Sequence, residues 1–116
     1  LPNGHAMPTY LVNAFSLSMI TPPTTIRVEE VSREVFCQEA SGATSAIGHQ
    51  GTAAVLSAIC GFPVQVNRAA IQLGRGDVAL VFQLLVRLEE GRVLTAQEVE
   101  ALLAQGKAKF LRVTVL

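Results

Sequence analysis

Short apolar runs separated by polar segments recur along the chain, and their composition predicts its strands. Runs that are rich in β-branched residues and bounded by turn residues are typical of strands. They lie at 9–12, 25–28, 46–47, 69–73, 78–86 and 107–115. The last but one of these runs is almost wholly apolar, which predicts a central strand covered on both faces. The segment Gly74-Arg75-Gly76-Asp77 predicts a hairpin turn that joins it to the run before.

Two helices are indicated by their capping residues. Ser32 is suited to cap a helix over 33–40, because a serine oxygen can accept from a free backbone N–H of the first turn. Thr95 and Glu98 have the spacing of a capping box, and Gly106 is suited to end the helix that they begin.

A third helix is predicted at 50–60, where apolar residues repeat at helical spacing and Gly61 follows as a terminating residue. A short helix at 16–20 is stopped by two prolines. Helices placed between strands predict an α/β fold, with a mixed β-sheet of about five strands and flanking helices. We expect one domain over 7–116, and we interpret 1–6 as a remnant of cloning.

Composition narrows the class of protein. Of the 116 residues 50% are hydrophobic and 16% are charged, and the mean hydropathy is +0.42. No apolar run is long enough to span a bilayer, so we expect no membrane contact. We assign the high content of hydrophobic residues to a core and a homodimer face. Nine basic residues balance nine acidic ones, which argues against DNA or other long nucleic acid as a partner. A small ligand with a few phosphates remains compatible with this neutrality.

The cysteines and histidines limit the possible chemistry. Cys37 and Cys60 lie in apolar helical contexts without a C-x-x-C motif, so we expect buried free thiols and a cytoplasmic location. With His5 in the cloning remnant, His49 is the one native histidine. One histidine and two distant cysteines do not form a zinc site, so neither a metal nor another cofactor is expected.

Candidate chemistry lies in four polar segments that each follow an apolar run: Asn13-Ala14-Phe15-Ser16, Ile47-Gly48-His49, Asn67-Arg68 and Arg87-Leu88-Glu89-Glu90-Gly91. Ends of strands and starts of loops are where sites are usually built. Taken singly, each segment has an ordinary explanation as a turn entry or a solvated loop. Together they supply a histidine, two arginines, a carboxylate pair and amide or hydroxyl groups, which suit phosphodiester binding and transfer of one proton.

In order and spacing these segments resemble the viral type III anti-CRISPR ring nuclease family, whose members also occur as cellular ring nucleases. The match extends from Tyr10-Leu11-Val12-Asn13 to the last strand and includes Cys60-Gly61. The resemblance implies a homodimer that cleaves cyclic tetraadenylate, without a metal, to linear diadenylate products with a 2′,3′-cyclic phosphate. It also implies a cytoplasmic location, in the host cell if the gene is viral.

The same resemblance assigns roles to residues of this chain. His49 is implied as the general acid, Glu90 as its acidic partner and Arg87 as the contact to the scissile phosphate. The implied substrate-binding residues are Asn13, Ser16, Gly48, Arg68 and Gln83. That Glu90 rather than Glu89 is the inward acid follows from family spacing alone.

The chain departs from the family pattern at Gln50-Gly51, where an acid and a serine are usual, at Ser18 and at Val86. The missing serine removes a hydroxyl contact and bears on ligand affinity and rate. The main alternative function is a protein that binds cyclic oligoadenylate without cutting it. A small viral protein that binds another protein through its apolar surface is a second alternative, and a DNA-binding regulator is a third, disfavoured because no helix gathers basic residues.

Overall fold

A computed structural model of the chain describes residues 8–87, 89 and 91–116. The elements are β1 Thr9–Val12, a 3-10 helix Leu17–Met19, β2 Ile26–Glu30, α1 Arg33–Ala40, β3 Thr44–Ser45, α2 Gln50–Cys60, β4 Val78–Leu84, α3 Ala96–Ala104 and β5 Ala108–Val115. The predicted remnant at 1–6 lies outside the described residues.

The strands form one mixed sheet in the order β2-β5-β4-β1-β3. Strand β1 runs parallel to both β4 and β3, whereas β5 is antiparallel to β4 and β2. The apolar strand β4 is therefore central, as predicted, and its residues alternate between the two faces of the sheet. The carboxyl ends of β1, β3 and β4 meet at one edge.

The two faces of the sheet have separate cores. On the first face, sheet residues such as Leu80 and Phe110 pack under the three α-helices with Phe36, Val55 and Val99. The second face is covered by segments outside the α-helices and strands, which contribute Phe15, Met19, Ile20, Ile71 and Leu73. Among the described residues, no helix is both long and apolar enough to cross a membrane.

The helix boundaries follow the predicted capping residues. Ser32 accepts a hydrogen bond from the N–H of Val35 at 3.1 Å, and Thr95 and Glu98 form the complete capping box. Gly61 ends α2 with φ of 78°, a left-handed conformation that glycine adopts without a steric penalty. The α-helix predictions at 33–40 and 50–60 are confirmed.

The predicted strand at 69–73, and with it the hairpin, is wrong. Ile71 and Leu73 cover the second face of the sheet, and the N–H of Leu73 donates to the carbonyl of Met19 at 2.7 Å instead of to a strand. A turn at Gly74–Asp77 is present and is closed by the Asp77 N–H donating to the Gly74 carbonyl at 3.0 Å. The alternation of apolar residues at 69–73 therefore arises because this segment packs on the sheet, and it does not mark a strand of the sheet.

The strand predicted at 46–47 is displaced. The β3 pairing with β1 lies at Thr44–Ser45, and Ile47 makes only an isolated parallel bridge to Val66. Ile47 is fully buried, which explains why its sequence context is typical of a strand.

The prediction of free thiols is also wrong, because Cys37 and Cys60 form a disulfide with a Cα–Cα distance of 5.1 Å. It joins α1 to the last residue of α2. The two cysteines are 23 positions apart in the sequence, and this spacing gave no sign of the pairing, which depends on how the two helices pack.

Candidate functional site

The candidate site lies where the parallel strands β1, β3 and β4 end. In open α/β sheets, ligands bind outside the carboxyl ends of the strands. Asn13 directly follows β1, Gln83 is near the end of β4, and the segment after β3 leads into α2 through Gly48 and His49. The topology therefore brings two of the four polar segments of the sequence, together with Gln83, to one edge.

Gly48 is held on both sides by predicted binding residues. Its N–H donates to the side-chain oxygen of Asn13 at 3.2 Å, and its carbonyl accepts from Nε of Arg68 at 3.0 Å. A Cβ on Gly48 would lie 3.4 Å from Cγ of Arg68, so a larger residue would crowd the arginine. Asn13, Gly48 and Arg68 are thus one hydrogen-bonded group, formed from positions far apart in the sequence.

Asn67 anchors this group to the preceding strand. Its backbone N–H donates to the carbonyl of Ile47, and its side-chain amide donates to the carbonyl of Ser45, both at 2.7 Å. The neighbouring Arg68 is exposed, and Nε is the one guanidinium nitrogen that bonds to another of the described residues. Its terminal guanidinium nitrogens are available to an anion.

His49 is the N-cap residue of α2 and is exposed. Its Nδ1 accepts a hydrogen bond from the backbone N–H of Thr52 at 3.1 Å, which satisfies one of the free donors of the first turn. A nitrogen that accepts has no proton of its own, so in the neutral ring the proton is on Nε2. Nε2–H is then the free donor of the ring.

Gly51 gives the imidazole its space. A Cβ at this position would lie 3.0 Å from Cε1 of His49 and 3.2 Å from the carbonyl oxygen of Arg92. The serine usual in the family at this position would require the ring or the Arg92 backbone to shift. Glycine at position 51 therefore has two consequences: it leaves room for the His49 ring, and it lacks the hydroxyl that a serine would supply.

Three adjoining clefts surround these residues. The His49 cleft has a volume of about 160 Å³ and is lined by Asn13, His49, Thr52, Phe82, Leu84 and Val86. A sheet cleft of about 310 Å³ shares Asn13 and Leu84 with it and also contains Gln83. An Arg87 cleft of about 410 Å³ shares Val86 with it. The predicted binding residue Gln83 thus adjoins the histidine without lining the same cleft.

Arg87 lies in the neighbouring cleft rather than beside His49. It is exposed, and within the described part of the chain it makes no hydrogen bond or ion pair. Glu89, Arg92 and Glu98 line the same cleft, and Arg92 pairs with Glu98. A backbone hydrogen bond from Thr95, supported by the charge of Arg92, lowers the pKa of the Glu98 carboxyl. The predicted acid Glu90 lies outside the described residues.

Ser16 is not brought to the His49 cleft. It caps the 3-10 helix, where its hydroxyl accepts from the N–H of Ser18 at 3.3 Å and contacts the Ser18 hydroxyl at 2.9 Å. This local capping occupies the side chain that the family resemblance assigns to the substrate.

Sequence reasoning missed Thr52. Only 5% of this residue is exposed, and its hydroxyl lies 3.1 Å from Nδ1 of His49. The available signal was its spacing, because a residue three positions after an N-cap is within reach of the capping side chain. Within the described residues, no group of three or more histidine, cysteine, aspartate or glutamate residues is placed to hold a metal ion.

The comparison with known proteins shows the family. A family model described as STIV B116-like matches residues 9–108. The chain belongs to the STIV B116-like family. It is similar to the solved structure of B116 of Sulfolobus turreted icosahedral virus, with a TM-score of 0.83 and 36% identity, over 92% of this chain and 98% of that chain. This likeness confirms the α/β fold with a five-stranded mixed sheet.

Two further relatives are also viral. Uncharacterized protein ORF116 of Acidianus filamentous virus 1 is 30% identical over 106 residues, covering 89% of this chain and 91% of its own length. Uncharacterized protein ORF117 of Acidianus two-tailed virus is 37% identical over 97 residues, covering 79% of this chain and 83% of its own length. These names state no activity, so function has to be argued from the site.

Proposed function

We propose that the protein is a metal-independent ring nuclease that cleaves cyclic tetraadenylate to linear diadenylate products and so switches off type III CRISPR effectors. The observation that carries this proposal is the setting of His49. An exposed imidazole is fixed through Nδ1 at the start of α2, with Nε2–H as its free donor, beside a hydrogen-bonded group of Asn13, Gly48 and Arg68. Such a setting suits a general acid next to a phosphodiester.

The substrate supplies the nucleophile. The ribose 2′-OH attacks the adjacent phosphorus in line, a 2′,3′-cyclic phosphate forms, and the bond from phosphorus to the 5′ oxygen breaks. The proton of the 2′-OH passes to water, and the departing 5′ oxygen takes a proton from Nε2 of His49. The protein therefore has to orient the ring, neutralise charge and donate one proton.

Cationic groups adjoin the histidine on two sides. Among the described residues, the terminal nitrogens of Arg68 have no partner and can contact a phosphate, and Arg87 in the next cleft forms no ion pair. In this proposal Arg87 contacts the scissile phosphate, either of the ring bound at its own subunit or of a ring shared with a second subunit. Gln83 can offer its amide to a nucleobase at the other side of the histidine.

A homodimer is part of the proposal. A ring of four identical nucleotides has two-fold symmetry and matches an isologous interface in which each half meets the same residues. Val28 and Leu85, which both line the sheet cleft, are each 54% exposed although they are large and apolar. Exposed apolar residues beside the site are what a second subunit would cover.

Capture of the ring without cleavage is the second candidate function. It is favoured by the complete capping role of His49, which gives this histidine a structural reason to be present. Incubation of the pure protein with labelled cyclic tetraadenylate in excess EDTA, followed by mass spectrometry, separates the two functions. We expect linear diadenylate with a 2′,3′-cyclic phosphate. An intact ring that elutes bound to the protein would support capture, and activity that appears only after a divalent ion is added would overturn the metal-independent mechanism.

A further inference from the structure

We propose that Thr52 is a positioning residue whose hydroxyl accepts the Nδ1 proton of His49 when the imidazole is charged. Nδ1 has two neighbours on Thr52, the backbone nitrogen and Oγ1, and each is 3.1 Å away. The backbone N–H can only donate, whereas a hydroxyl can donate or accept. The inference rests on the proposed function for its catalytic consequence, but the contact itself is testable alone.

The charged ring needs such an acceptor. In the neutral ring, Nδ1 accepts from Thr52 and the proton is on Nε2. A general acid, however, has to hold protons on both nitrogens before it transfers one. The Nδ1 proton would then point at a backbone donor, which cannot accept it. Rotation of the Thr52 hydroxyl turns its oxygen lone pair toward Nδ1 and provides the acceptor.

The buried position of Thr52 makes this contact specific. Because only 5% of Thr52 is exposed, water has little access to its hydroxyl. It is the one buried polar residue among those that the structure describes. A buried hydroxyl requires a partner, and His49 Nδ1 is the side-chain partner it has.

The proton balance of the step is complete. The imidazolium gives its Nε2 proton to the departing 5′ oxygen and becomes neutral with the remaining proton on Nδ1, donated to Thr52 Oγ1. Uptake of a proton from water at Nε2 restores the charged ring for the next turnover. Thr52 itself neither gains nor loses a proton in this step, so its role is to position the acid.

The contact is tested by NMR on the His49 imidazole, with His5→Gln removing the other histidine. The spectra are recorded at a pH where the ring nitrogen shifts report the charged form, in which Nδ1–H is visible only if a hydrogen bond slows its exchange with water. We expect this signal in the parent protein and in Thr52→Ser, and its loss by exchange broadening in the isosteric Thr52→Val. Equal Nδ1–H signals in the threonine and valine proteins, or no signal in either, would overturn the inference.

Kinetics supply the second test. Thr52→Val is expected to lower kcat about 10-fold with KM unchanged, the effect of losing about one hydrogen bond, and Thr52→Ser to restore it. Ser57→Ala is the control, because it removes another hydroxyl of α2, which donates to the Ala53 carbonyl at 2.8 Å away from His49. An unchanged kcat in Thr52→Val, or failure of serine to restore it, would contradict the positioning role. If the parent protein does not cleave the ring, the proposed function fails, while the NMR result still decides the contact.

Discussion

At the residue scale, His49 caps α2 through Nδ1 and also lines the His49 cleft, where we propose that its Nε2 acts as the acid. The two roles can be separated by mutation. Asparagine is among the best N-cap residues, whereas alanine cannot cap. We expect His49→Ala to lower the free energy of unfolding by about 1 kcal/mol and His49→Asn to leave it almost unchanged, as measured by urea denaturation. Equal losses in the two variants would show that the cap contributes nothing.

Arg87 is expected to contribute through the geometry of its guanidinium. It is exposed and unpaired among the described residues, so its replacement breaks no internal contact. We expect Arg87→Ala to weaken ring binding and to slow cleavage, and Arg87→Lys not to restore either, because an ammonium cannot form a bidentate contact with a phosphate. Isothermal titration and single-turnover assays measure the two effects. Full recovery with lysine would mean that only a point charge is required.

At the scale of elements, the disulfide between α1 and α2 is expected to be a major source of stability. The disulfide links cysteines that are 23 positions apart, and closing a loop of this length reduces the entropy of the unfolded chain. This effect stabilises the folded protein by about 3 kcal/mol. We therefore expect the double variant Cys37→Ser/Cys60→Ser to melt about 10 °C lower than the oxidised protein. Reduction of the parent protein by dithiothreitol should give a similar shift. Two thiols that react with Ellman's reagent in the denatured, unreduced protein would contradict the disulfide.

The helices show what the sequence can predict. The caps of α1 and α3 are local, because Ser32 and Thr95 bond to residues three positions further on, and such spacing is visible without the fold. The central position of β4 also followed from its composition, since a strand buried on both faces has to be apolar throughout. These features depend on near neighbours or on burial alone.

Other features depend on tertiary packing and could not be predicted. The segment at 69–73 has the alternation of a strand, but its place on the second face is set by contacts such as Leu73 with Met19. In the site, the meeting of Asn13, Gly48 and Arg68 was expected from the family resemblance, but the hydrogen bonds that join them were not. Arg87 was expected to contact the scissile phosphate, and nothing in the sequence indicated that it would line a cleft adjoining that of His49.

At the scale of the whole molecule, we propose that a dimer sharing one ring covers the exposed apolar residues at the sheet cleft. We expect light scattering to give the mass of two chains and isothermal titration to give one cyclic tetraadenylate per two chains. Val28→Lys, which places a charge on a 54% exposed apolar residue outside the His49 cleft, should weaken the dimer. A stoichiometry of one ring per chain would exclude a site shared across a two-fold axis.

The most direct test of the account compares cleavage of labelled cyclic tetraadenylate by the parent protein and by His49→Asn in excess EDTA. Because asparagine preserves the helix cap, a loss of activity in this variant reports on the acid and not on folding. We expect the parent protein to form linear diadenylate with a 2′,3′-cyclic phosphate, and the variant to bind the ring but to cleave it about 100- to 10,000-fold more slowly. Cleavage by His49→Asn at the parent rate would contradict the role of His49, and an intact ring with the parent protein would contradict the enzyme itself.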